Sequence, residues 1–337
     1  MKRLALGCFT AAVLALLLLP LFGADFIAIG REIEEQGLST AAESYDRHAG
    51  FQTFWIDLYD RASTVLVRDA GTDAVLLGDG MLFFVRTLAD YQQTRLMTDE
   101  EITQAADALL ALKERLEESG VRFVFIGAPN KSEIYPEAMP AAYHRGMGES
   151  DLARLQRALA ARGVAYVDAL KTLKEADEPV YHRTDTHWND AGALKVYRAL
   201  LDALALDGMQ RYEDAQWCEQ ERVGDLERMA YPLSAQPETV RALQLERAYR
   251  TEKPMRSLDD MQIVTHAEGK QARLVVSRDS FGEALFPLMA NQTETLRFTR
   301  SRDMDTLLAL SSGADAVIYE LAQRNLRLLL GEEVGME

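Results

Sequence analysis

Two residues with spacing suited to acid–base chemistry are Asp185 and His187, which are two positions apart. In an extended chain, residues at this spacing point to the same side. The carboxylate of Asp185 can then accept a hydrogen bond from the His187 ring and leave the other ring nitrogen free to act as a base. The same segment also fits a plain loop that enters a helix capped near Asn189.

A possible nucleophile lies in a second segment. Ser280 follows the apolar run 273–277, at a point where a strand is expected to turn into a helix. Open α/β sheets place their ligands at this edge, and the first amide N–H groups of such a helix can stabilise an oxyanion. The alternative is that Asp279 or Ser280 only caps the helix.

A third polar segment follows the apolar run 121–128. Here Asn130 could donate to an oxyanion and Lys131 could hold an anionic substrate, although a plain loop would have the same composition. A nucleophile needs a base, the base needs an orienting group, and the developing oxyanion needs a donor. The three segments together supply all four functions, which none of them supplies alone.

Metal chemistry is the enzymatic alternative. His182, Asp185 and His187 resemble a set of two histidines and one carboxylate that binds metal ions. The two cysteines, Cys8 and Cys218, exclude a disulfide framework and a cysteine-based zinc site. Our preferred interpretation uses neither a metal nor another cofactor.

The elements that must position these residues alternate between strands and helices. This order predicts an α/β fold with a parallel sheet and helices on both faces. The predicted strands are 121–128, 165–170, 273–277, 295–299 and 316–321. The predicted helices are 98–119, 150–162, 190–206, 281–290 and 303–311. Two apolar runs within 74–85 flank Gly78-Asp79-Gly80, which predicts a hairpin, and the charged residues 209–262 are expected to form a helical insertion.

The beginning of the chain has the features of a membrane segment. Lys2 and Arg3 precede 19 mostly apolar residues from Leu4 to Phe22, which as a helix would span about 28 Å, close to a bilayer core of about 30 Å. The positive charge at the start predicts that the rest of the chain lies outside the cytoplasm. Bulky Phe22 would occupy the −3 position of a cleavage site near Ala24, so we favour an uncleaved anchor over a cleaved signal peptide.

We therefore predict an N-terminal anchor over 1–30, a helical stalk and lead-in over 31–70, and an α/β domain over 71–337. Across the 337 residues, 37 are Lys or Arg and 53 are Asp or Glu, which gives a formal charge of −16 at pH 7. This charge argues against a nucleic-acid partner, because nucleic-acid binding needs clustered positive charge.

Four motifs in order resemble one known family. They are Leu-Gly-Asp-Gly-x-Leu-Phe (77–83), Pro-Asn-Lys-x-x-x-Tyr-Pro (129–136), Asp-Thr-His-Trp (185–188) and Asp-Ser-Phe-Gly (279–282). The chain is similar, over about 43–330, to the alginate O-acetyltransferase group of SGNH-hydrolase-like proteins (AlgX/AlgJ type), in particular its DHHW branch. The resemblance implies a flavodoxin-like fold.

The resemblance also implies a function. It makes Ser280 the nucleophile, His187 the base and Asp185 its orienting group, in an enzyme that adds acetyl groups to a cell-surface or secreted polysaccharide outside the cytoplasm. A membrane-bound O-acyltransferase would deliver the acyl group. An esterase of SGNH type, and a polysaccharide-binding scaffold without catalysis, are the alternatives.

The chain departs from the family pattern at some positions. Arg278 stands where many relatives have glycine, and it could crowd the turn or bind an anionic substrate. Thr186 stands where the branch has its second histidine. Trp188 could stack on a sugar or pack beneath His187. Glu320 and Arg324 could form a structural ion pair, or Arg324 could contribute to the substrate site.

Overall fold

The computed structural model of the protein describes residues 26–36 and 75–331. The rest of the predicted anchor and lead-in, residues 1–25 and 37–74, lies outside these described residues. Within the described part, no helix is both long and apolar enough to cross a bilayer.

Eleven strands, ten α-helices and four short 3₁₀ helices lie in the described residues. The strands are β1 (Val75–Leu77), β2 (Leu82–Phe84), β3 (Arg122–Ala128), β4 (Tyr166–Val167), β5 (Gln216–Arg222), β6 (Glu238–Gln244), β7 (Tyr249–Thr251), β8 (Gln262–Ala267), β9 (Arg273–Ser277), β10 (Thr295–Thr299) and β11 (Ala316–Ala322). The helices are α1 (Phe26–Gln36), α2 (Leu88–Gln92), α3 (Asp99–Glu117), α4 (Lys131–Ile134), α5 (Asp151–Ala161), α6 (Ala169–Lys174), α7 (Asp190–Leu204), α8 (Asp225–Ala230), α9 (Phe286–Ala290) and α10 (Met304–Leu310). The 3₁₀ helices are Val85–Thr87, Pro136–Ala138, Ser280–Ala284 and Gln323–Leu330.

The described chain separates into two compact units. The smaller unit contains α1, Val75 and residues 227–236, and the larger unit contains residues 76–226 and 237–331. All the candidate site residues named above belong to the larger unit.

A seven-stranded sheet in the order β4-β3-β11-β9-β10-β8-β7 forms the centre of the larger unit. The five strands from β4 to β10 are parallel, which confirms the predicted parallel sheet. The last two strands, β8 and β7, add an antiparallel edge next to β10. Sheets of this kind, with an antiparallel edge on a parallel centre, are common among α/β folds.

Hydrophobic clusters cover both faces of the sheet. Along β3, Val124 and Ile126 belong to one cluster, and Phe123 and Phe125 belong to the other. This division follows from the period of two in a strand, which sends successive side chains to opposite faces. The first cluster includes residues of α6, α7 and α9, and the second includes residues of α3, α5 and α10. Helices therefore pack on both faces of the sheet, as the alternating pattern predicts.

Local signals in the sequence account for several element ends. Thr98 and Glu101 form the predicted capping box of α3, with Glu101 N–H donating to Thr98 Oγ1 over 3.1 Å and Thr98 N–H donating to Glu101 Oε2 over 2.7 Å. The predicted hairpin is also confirmed, because β1 pairs with β2 around the turn 78–81. Gly80 has a φ of +68° in this turn, a conformation that favours glycine.

The prediction of a helical insertion over 209–262 is wrong. Strands β5, β6 and β7 lie in this segment, with α8 as its helical part, and β5 pairs with β6 in a separate antiparallel sheet. Val240 and Ala242 are buried on β6 while the residues between and beside them are more exposed. This alternation has the period of a strand, and the many charged side chains concealed it.

The predicted strand 165–170 is shorter than expected. Only Tyr166 and Val167 form β4, and α6 begins at Ala169. The Asp168 carboxylate accepts a hydrogen bond from Lys171 N–H over 3.0 Å, so this residue caps the helix and ends the strand.

The strand order brings distant loops together. Strand β11 lies between β3 and β9, and all three run in the same direction. Their carboxyl ends therefore meet at one edge of the sheet, where Asn130, Ser280 and Arg324 follow the three strands.

Candidate active site

Ser280 lies in a turn that its neighbour Asp279 holds in place. Asp279 Oδ1 accepts a hydrogen bond from Phe281 N–H over 3.0 Å, as an N-cap does. Its Oδ2 accepts hydrogen bonds from Ala322 N–H over 2.8 Å and from Asn325 Nδ2 over 2.9 Å. Asp279 thus caps the 3₁₀ helix that begins at Ser280 and ties this turn to the end of β11.

Two carboxyl groups, those of Asp279 and Glu320, are buried at this turn. Burial opposes ionisation of Asp279, but the Arg324 charge and the three hydrogen bonds above hold its pKa below the usual range. Burial, together with the Asp279 charge, raises the pKa of Glu320 well above its usual value. Its Oε2 accepts a hydrogen bond from Asp279 N–H over 3.0 Å. The structural ion pair between Glu320 and Arg324 does not occur among the described contacts.

Asp185 and His187 lie in a loop that precedes α7. Asp185 Oδ1 accepts a hydrogen bond from His187 N–H over 3.0 Å and lies 2.7 Å from His187 Nδ1. The chain is therefore turned, not extended, and the Asp side chain bonds to the backbone two residues on, as aspartate often does in turns. The expected pairing of the carboxylate and the ring is present, although the backbone that produces it differs from our expectation.

The structure brings Ser280 to this pair. His187 Nε2 lies 2.8 Å from Ser280 Oγ, although 93 positions separate the two residues. The Phe281 ring lies 4.8 Å from the His187 ring, so it packs beside the imidazole. Ser280, His187 and Asp185 form a continuous hydrogen-bonded chain, with the geometry in which a histidine can accept the serine proton.

The Asp185 carboxylate is buried but fully hydrogen-bonded. Its side chain is 3% exposed, and its Oδ2 accepts hydrogen bonds from Arg222 over 3.1 Å and from Asp225 N–H over 3.2 Å. Burial alone would raise the pKa of Asp185, but the bonds from His187 and the charges of His187 and Arg222 hold it well below the usual range. Asp185 is thus a carboxylate that can orient the imidazole and stabilise its protonated form.

Lys131, which was expected to hold an anionic substrate, bonds to protein groups instead. It is buried, and its Nζ donates hydrogen bonds to the carbonyl oxygens of Leu82 over 2.8 Å, Arg183 over 2.9 Å and Asp185 over 3.0 Å. Burial lowers the pKa of Lys131 to about 7, while the three carbonyl oxygens favour its ammonium form. Lys131 therefore holds the β1–β2 hairpin against the loop of Asp185, because all three of its donors have acceptors.

Asn130 is also occupied by protein contacts. Its Nδ2 donates to Asp90 Oδ2 over 2.7 Å, and its backbone N–H donates to Gln323 Oε1 over 3.2 Å. One of the two N–H groups of this amide is therefore bonded to α2 and not directed at an oxyanion.

Arg278 is enclosed by protein contacts. Its side chain is fully buried, lies over the Phe298 ring, and donates to Glu283 Oε1 over 3.2 Å and to the carbonyl of Leu258. No part of this side chain is exposed for the expected contact with an anionic substrate. Gly282 permits this arrangement, because a Cβ atom there would lie 2.7 Å from the Cβ of Arg278.

Trp188 packs in the core and does not face a sugar. It is 1% exposed, donates from Nε1 to the carbonyl of Phe281 over 3.0 Å, and meets the Phe281 ring edge-on at 5.0 Å. The predicted alternative of packing is the one that the structure supports. Arg324, by contrast, is partly exposed over the rings of Phe84 and Phe281, and it has no hydrogen bond or ion pair in the described chain.

Three residues of this region could not be found by reading the sequence. Arg222, Asp225 and Glu238 come from the segment that was expected to be helical, and all three bond to residues 183–186. No motif or periodic pattern connects them with the Asp185 loop, because the contacts cross 37 to 55 positions of the chain.

The expected metal-binding set of His182, Asp185 and His187 is not assembled. Asp185 and His187 group instead with Asp225, and the side-chain atoms of these three residues lie within 4.8 Å of one another. This spacing follows from hydrogen bonds within the loop: Asp185 accepts from His187 N–H, and Asp225 accepts from Thr186 N–H. Burial lowers the pKa of His182, whose buried Nδ1 has no described partner.

Comparisons with known proteins identify the family and the fold. Residues 76–275 match the family described as SGNH hydrolase-like domain, acetyltransferase AlgX. The chain is 28% identical over 171 residues to the probable alginate O-acetylase AlgJ of Pseudomonas aeruginosa, a match that covers 46% of this chain and 39% of that protein. The chain thus spans about two fifths of the length of this curated relative.

Two solved structures show the same fold at low sequence identity. Bacillus cereus PatB1 has a TM-score of 0.59 and 18% identity, covering 76% of this chain and 97% of that one, and it has also been solved with a sulfonyl adduct. A DHHW family protein from Eubacterium siraeum has a TM-score of 0.56 and 17% identity, covering 77% and 94%. With a family match over more than half of its length, the chain belongs to the AlgX-type acetyltransferase family with an SGNH hydrolase-like domain.

Proposed function

We propose that this protein is an O-acetyltransferase that modifies a cell-surface or secreted polysaccharide through Ser280, His187 and Asp185. The observation that carries the proposal is the hydrogen-bonded chain from Ser280 Oγ to His187 Nε2 over 2.8 Å and from His187 Nδ1 to Asp185 Oδ1 over 2.7 Å. The family match and the name of the AlgJ relative support acetyl transfer to a polysaccharide.

The reaction proceeds in two halves. In the first, His187 accepts the Ser280 proton, Ser280 Oγ bonds to the acetyl carbon of the donor, and the leaving group departs with the proton from His187. In the second, His187 accepts a proton from a sugar hydroxyl and the hydroxyl oxygen bonds to the acetyl carbon. The bond between that carbon and Ser280 Oγ then breaks, and Ser280 regains its proton from His187. Asp185 stays ionised throughout and stabilises the imidazolium.

Two donors are available for the oxyanion. The Ser280 N–H is at the start of a 3₁₀ helix and donates to no described acceptor, unlike the N–H groups of Asp279 and Phe281. The Arg324 guanidinium lies 5.2 Å from the centre of the Phe281 ring. We assign both to the acyl oxygen, since Asn130 and Lys131 are bonded elsewhere.

Hydrolysis is the second candidate activity. The same serine and histidine would act as an esterase if water replaced the sugar hydroxyl in the second half of the reaction. A scaffold without catalysis is less favoured, because Ser280 Oγ lies within hydrogen-bond distance of His187 Nε2 even with Arg278 two residues earlier.

The proposal includes a location and a partner. The apolar residues 4–22 with Lys2 and Arg3 support a membrane anchor that leaves the catalytic domain outside the cytoplasm. A membrane-bound O-acyltransferase would then supply the acetyl donor from across the bilayer. We expect no nucleic-acid partner for a chain of charge −16.

The test labels the serine directly. The purified full chain in detergent is treated with a phenylmethylsulfonyl probe, and its peptides are analysed by mass spectrometry. We expect the adduct on Ser280, no adduct in Ser280→Ala, and normal labelling in Ser277→Ala, whose buried hydroxyl donates to the Ser301 carbonyl. Equal labelling of Ser280→Ala and the wild type would contradict the assignment.

A second measurement separates transfer from hydrolysis. After incubation with an acetyl ester, a transferase should hold acetyl on Ser280 and lose it faster when acetylatable glycans are added. An esterase should lose it at the same rate with or without glycan.

A further inference from the structure

The loop 183–187 is held by side chains from the segment between α7 and β8. On β6, Glu238 accepts hydrogen bonds from Arg183 N–H over 3.0 Å, from Thr184 N–H over 3.0 Å and from Thr184 Oγ1 over 2.6 Å. The loop has no regular secondary structure, so these carboxylate oxygens satisfy backbone groups that would otherwise lack partners. The segment thus contributes directly to the shape of the proposed catalytic loop.

Asp225 also bonds to this loop, at Thr186 next to His187. Its Oδ1 accepts a hydrogen bond from Thr186 N–H over 2.8 Å, and its Oδ2 accepts one from Thr186 Oγ1 over 2.5 Å. The same Oδ2 lies 3.6 Å from His187 Nδ1, and Thr186 Oγ1 lies 3.2 Å from that nitrogen. A second carboxylate therefore faces the edge of the imidazole that Asp185 contacts.

Close backbone approach makes these contacts possible. A Cβ atom on Gly224 would lie 2.0 Å from the carbonyl oxygen of Thr184 and 2.4 Å from its carbonyl carbon. Any larger residue at 224 would force the two backbones apart. The absence of a side chain at this position brings Asp225 within hydrogen-bond distance of Thr186.

We propose that Asp225 is a positioning residue for His187, which adds a second negative charge beside Nδ1 and so stabilises the imidazolium. This inference rests on the proposed function. Three other charged groups face these residues. Arg222 bonds to Asp185 Oδ2, and Glu283 interacts electrostatically with His187 from the 3₁₀ helix after Ser280. Lys131 donates to the Asp185 carbonyl and interacts electrostatically with both Asp185 and Asp225. Asp225 differs from Glu283 because it lies on the Nδ1 edge.

The test removes the charge and keeps the shape with Asp225→Asn. At 3.6 Å and with Asp225 31% exposed, we expect kcat for an acetyl ester to fall about tenfold with little change in KM. The acid limb of the pH–rate profile should move to lower pH, because an imidazole that loses a neighbouring negative charge binds its proton less tightly. Asp225→Glu should restore much of the rate.

A matched control separates charge from structural support. Asp190 Oδ2 accepts a hydrogen bond from Leu243 N–H of β6 over 2.7 Å, so Asp190→Asn weakens the attachment of the same segment at another point. We expect the acid limb of the pH–rate profile of Asp190→Asn to stay in place, even if the Tm of this variant falls as much as that of Asp225→Asn. An equal shift of the acid limb in both variants, or none in either, would overturn the inference.

An activity-independent readout distinguishes the two proposals. The His187 ring can be titrated by NMR in Ser280→Ala, with and without Asp225→Asn, and we expect the midpoint to fall with the second substitution. A lower midpoint without Ser280 labelling in the wild type would contradict the proposed function alone. Normal labelling with an unchanged midpoint would contradict only the role of Asp225.

Discussion

At the residue scale, Asp185 combines burial with complete hydrogen bonding. Each of its two carboxylate oxygens accepts bonds from two donors, which come from His187 on one side and from Arg222 and Asp225 on the other. A buried carboxylate without such donors would take up a proton, and it would then no longer stabilise an imidazolium. The second pair of donors explains how Asp185 stays charged at a site that is nearly closed to solvent.

We expect Asp185→Asn to lower kcat on the order of 10⁴, because the amide favours the wrong tautomer of His187. Steady-state rates with an acetyl ester measure this loss. Asp168→Asn, which alters the cap of α6 and no site residue, is the control and should retain most of the activity. A loss below tenfold in Asp185→Asn would contradict its role as the orienting group.

A second residue-scale prediction concerns Lys131. Lys131→Met should lower the free energy of unfolding by about 2–4 kcal/mol, since three buried carbonyl oxygens would lose their donor. Denaturation by urea measures the change. Lys171→Met, on the exposed side of α6, should cost less than 0.5 kcal/mol, roughly the effect of an ordinary surface substitution. Similar losses in the two variants would be inconsistent with the role assigned to Lys131.

At the element scale, Asp90 joins α2 to the residues that follow β3, and the pKa of its carboxyl group is raised. Asp90 accepts a hydrogen bond from Asn130 Nδ2 over 2.7 Å, and burial raises its pKa to about 6. The same Asn130 stands directly before α4, so this contact connects the hairpin region with the sheet edge that carries the site.

The raised pKa of Asp90 predicts a pH dependence of stability. The folded chain binds this proton more tightly than the unfolded chain, whose aspartates titrate near 3.9. The contribution of Asp90 is therefore complete below about pH 4 and is lost as the pH rises through about 6. The free energy of unfolding of Asp90→Asn should lack this dependence.

Urea denaturation at pH 4.5 and pH 7 measures the difference between the two proteins. We expect wild type to lose on the order of 1 kcal/mol more than Asp90→Asn over this interval. Because the comparison subtracts the other titrating groups, an equal loss in both proteins would show that Asp90 is not the group responsible.

At the scale of the whole molecule, the charges and the first residues bear on location. The chain has a formal charge of −16, and its longest apolar run, residues 4–22, follows Lys2 and Arg3. Positive charge before an apolar segment favours an orientation with the following domain outside the cytoplasm. The proposed acceptor, a surface or secreted polysaccharide, would be found on that side.

A reporter fusion tests this orientation. Alkaline phosphatase joined after Glu337 folds to an active form only outside the cytoplasm, so we expect activity in the fusion with the full chain. Exchanging Lys2 and Arg3 for glutamate should reduce that activity, because the orientation signal is weakened. A fusion that is inactive in the full chain while the protein accumulates would contradict the proposed location.

The predicted strands and helices at the centre of the fold are largely those that the structure contains. Their signals are local, such as the apolar run of β3 and the capping box of α3, whose partners are three residues apart. The segment 209–262 was misassigned because its strands are short of apolar residues and are largely solvent-exposed. Because neither face of these strands is deeply buried, apolar and polar residues alternate only weakly along them, and the period of two that marks a strand is hard to detect in the sequence.

The amino-acid sequence by itself determined which residues could form the site: the Asp-x-His pair, a serine after a strand, and the elements that precede them. Only the tertiary structure decided which candidates meet, since the order β3-β11-β9 brings Ser280 to His187 and leaves Lys131 and Trp188 to structural roles. It also added Asp225, which reaches Thr186 because Gly224 lets two backbones approach closely. Such contacts depend on strand order and on the space between distant segments, and neither leaves a periodic trace in the chain.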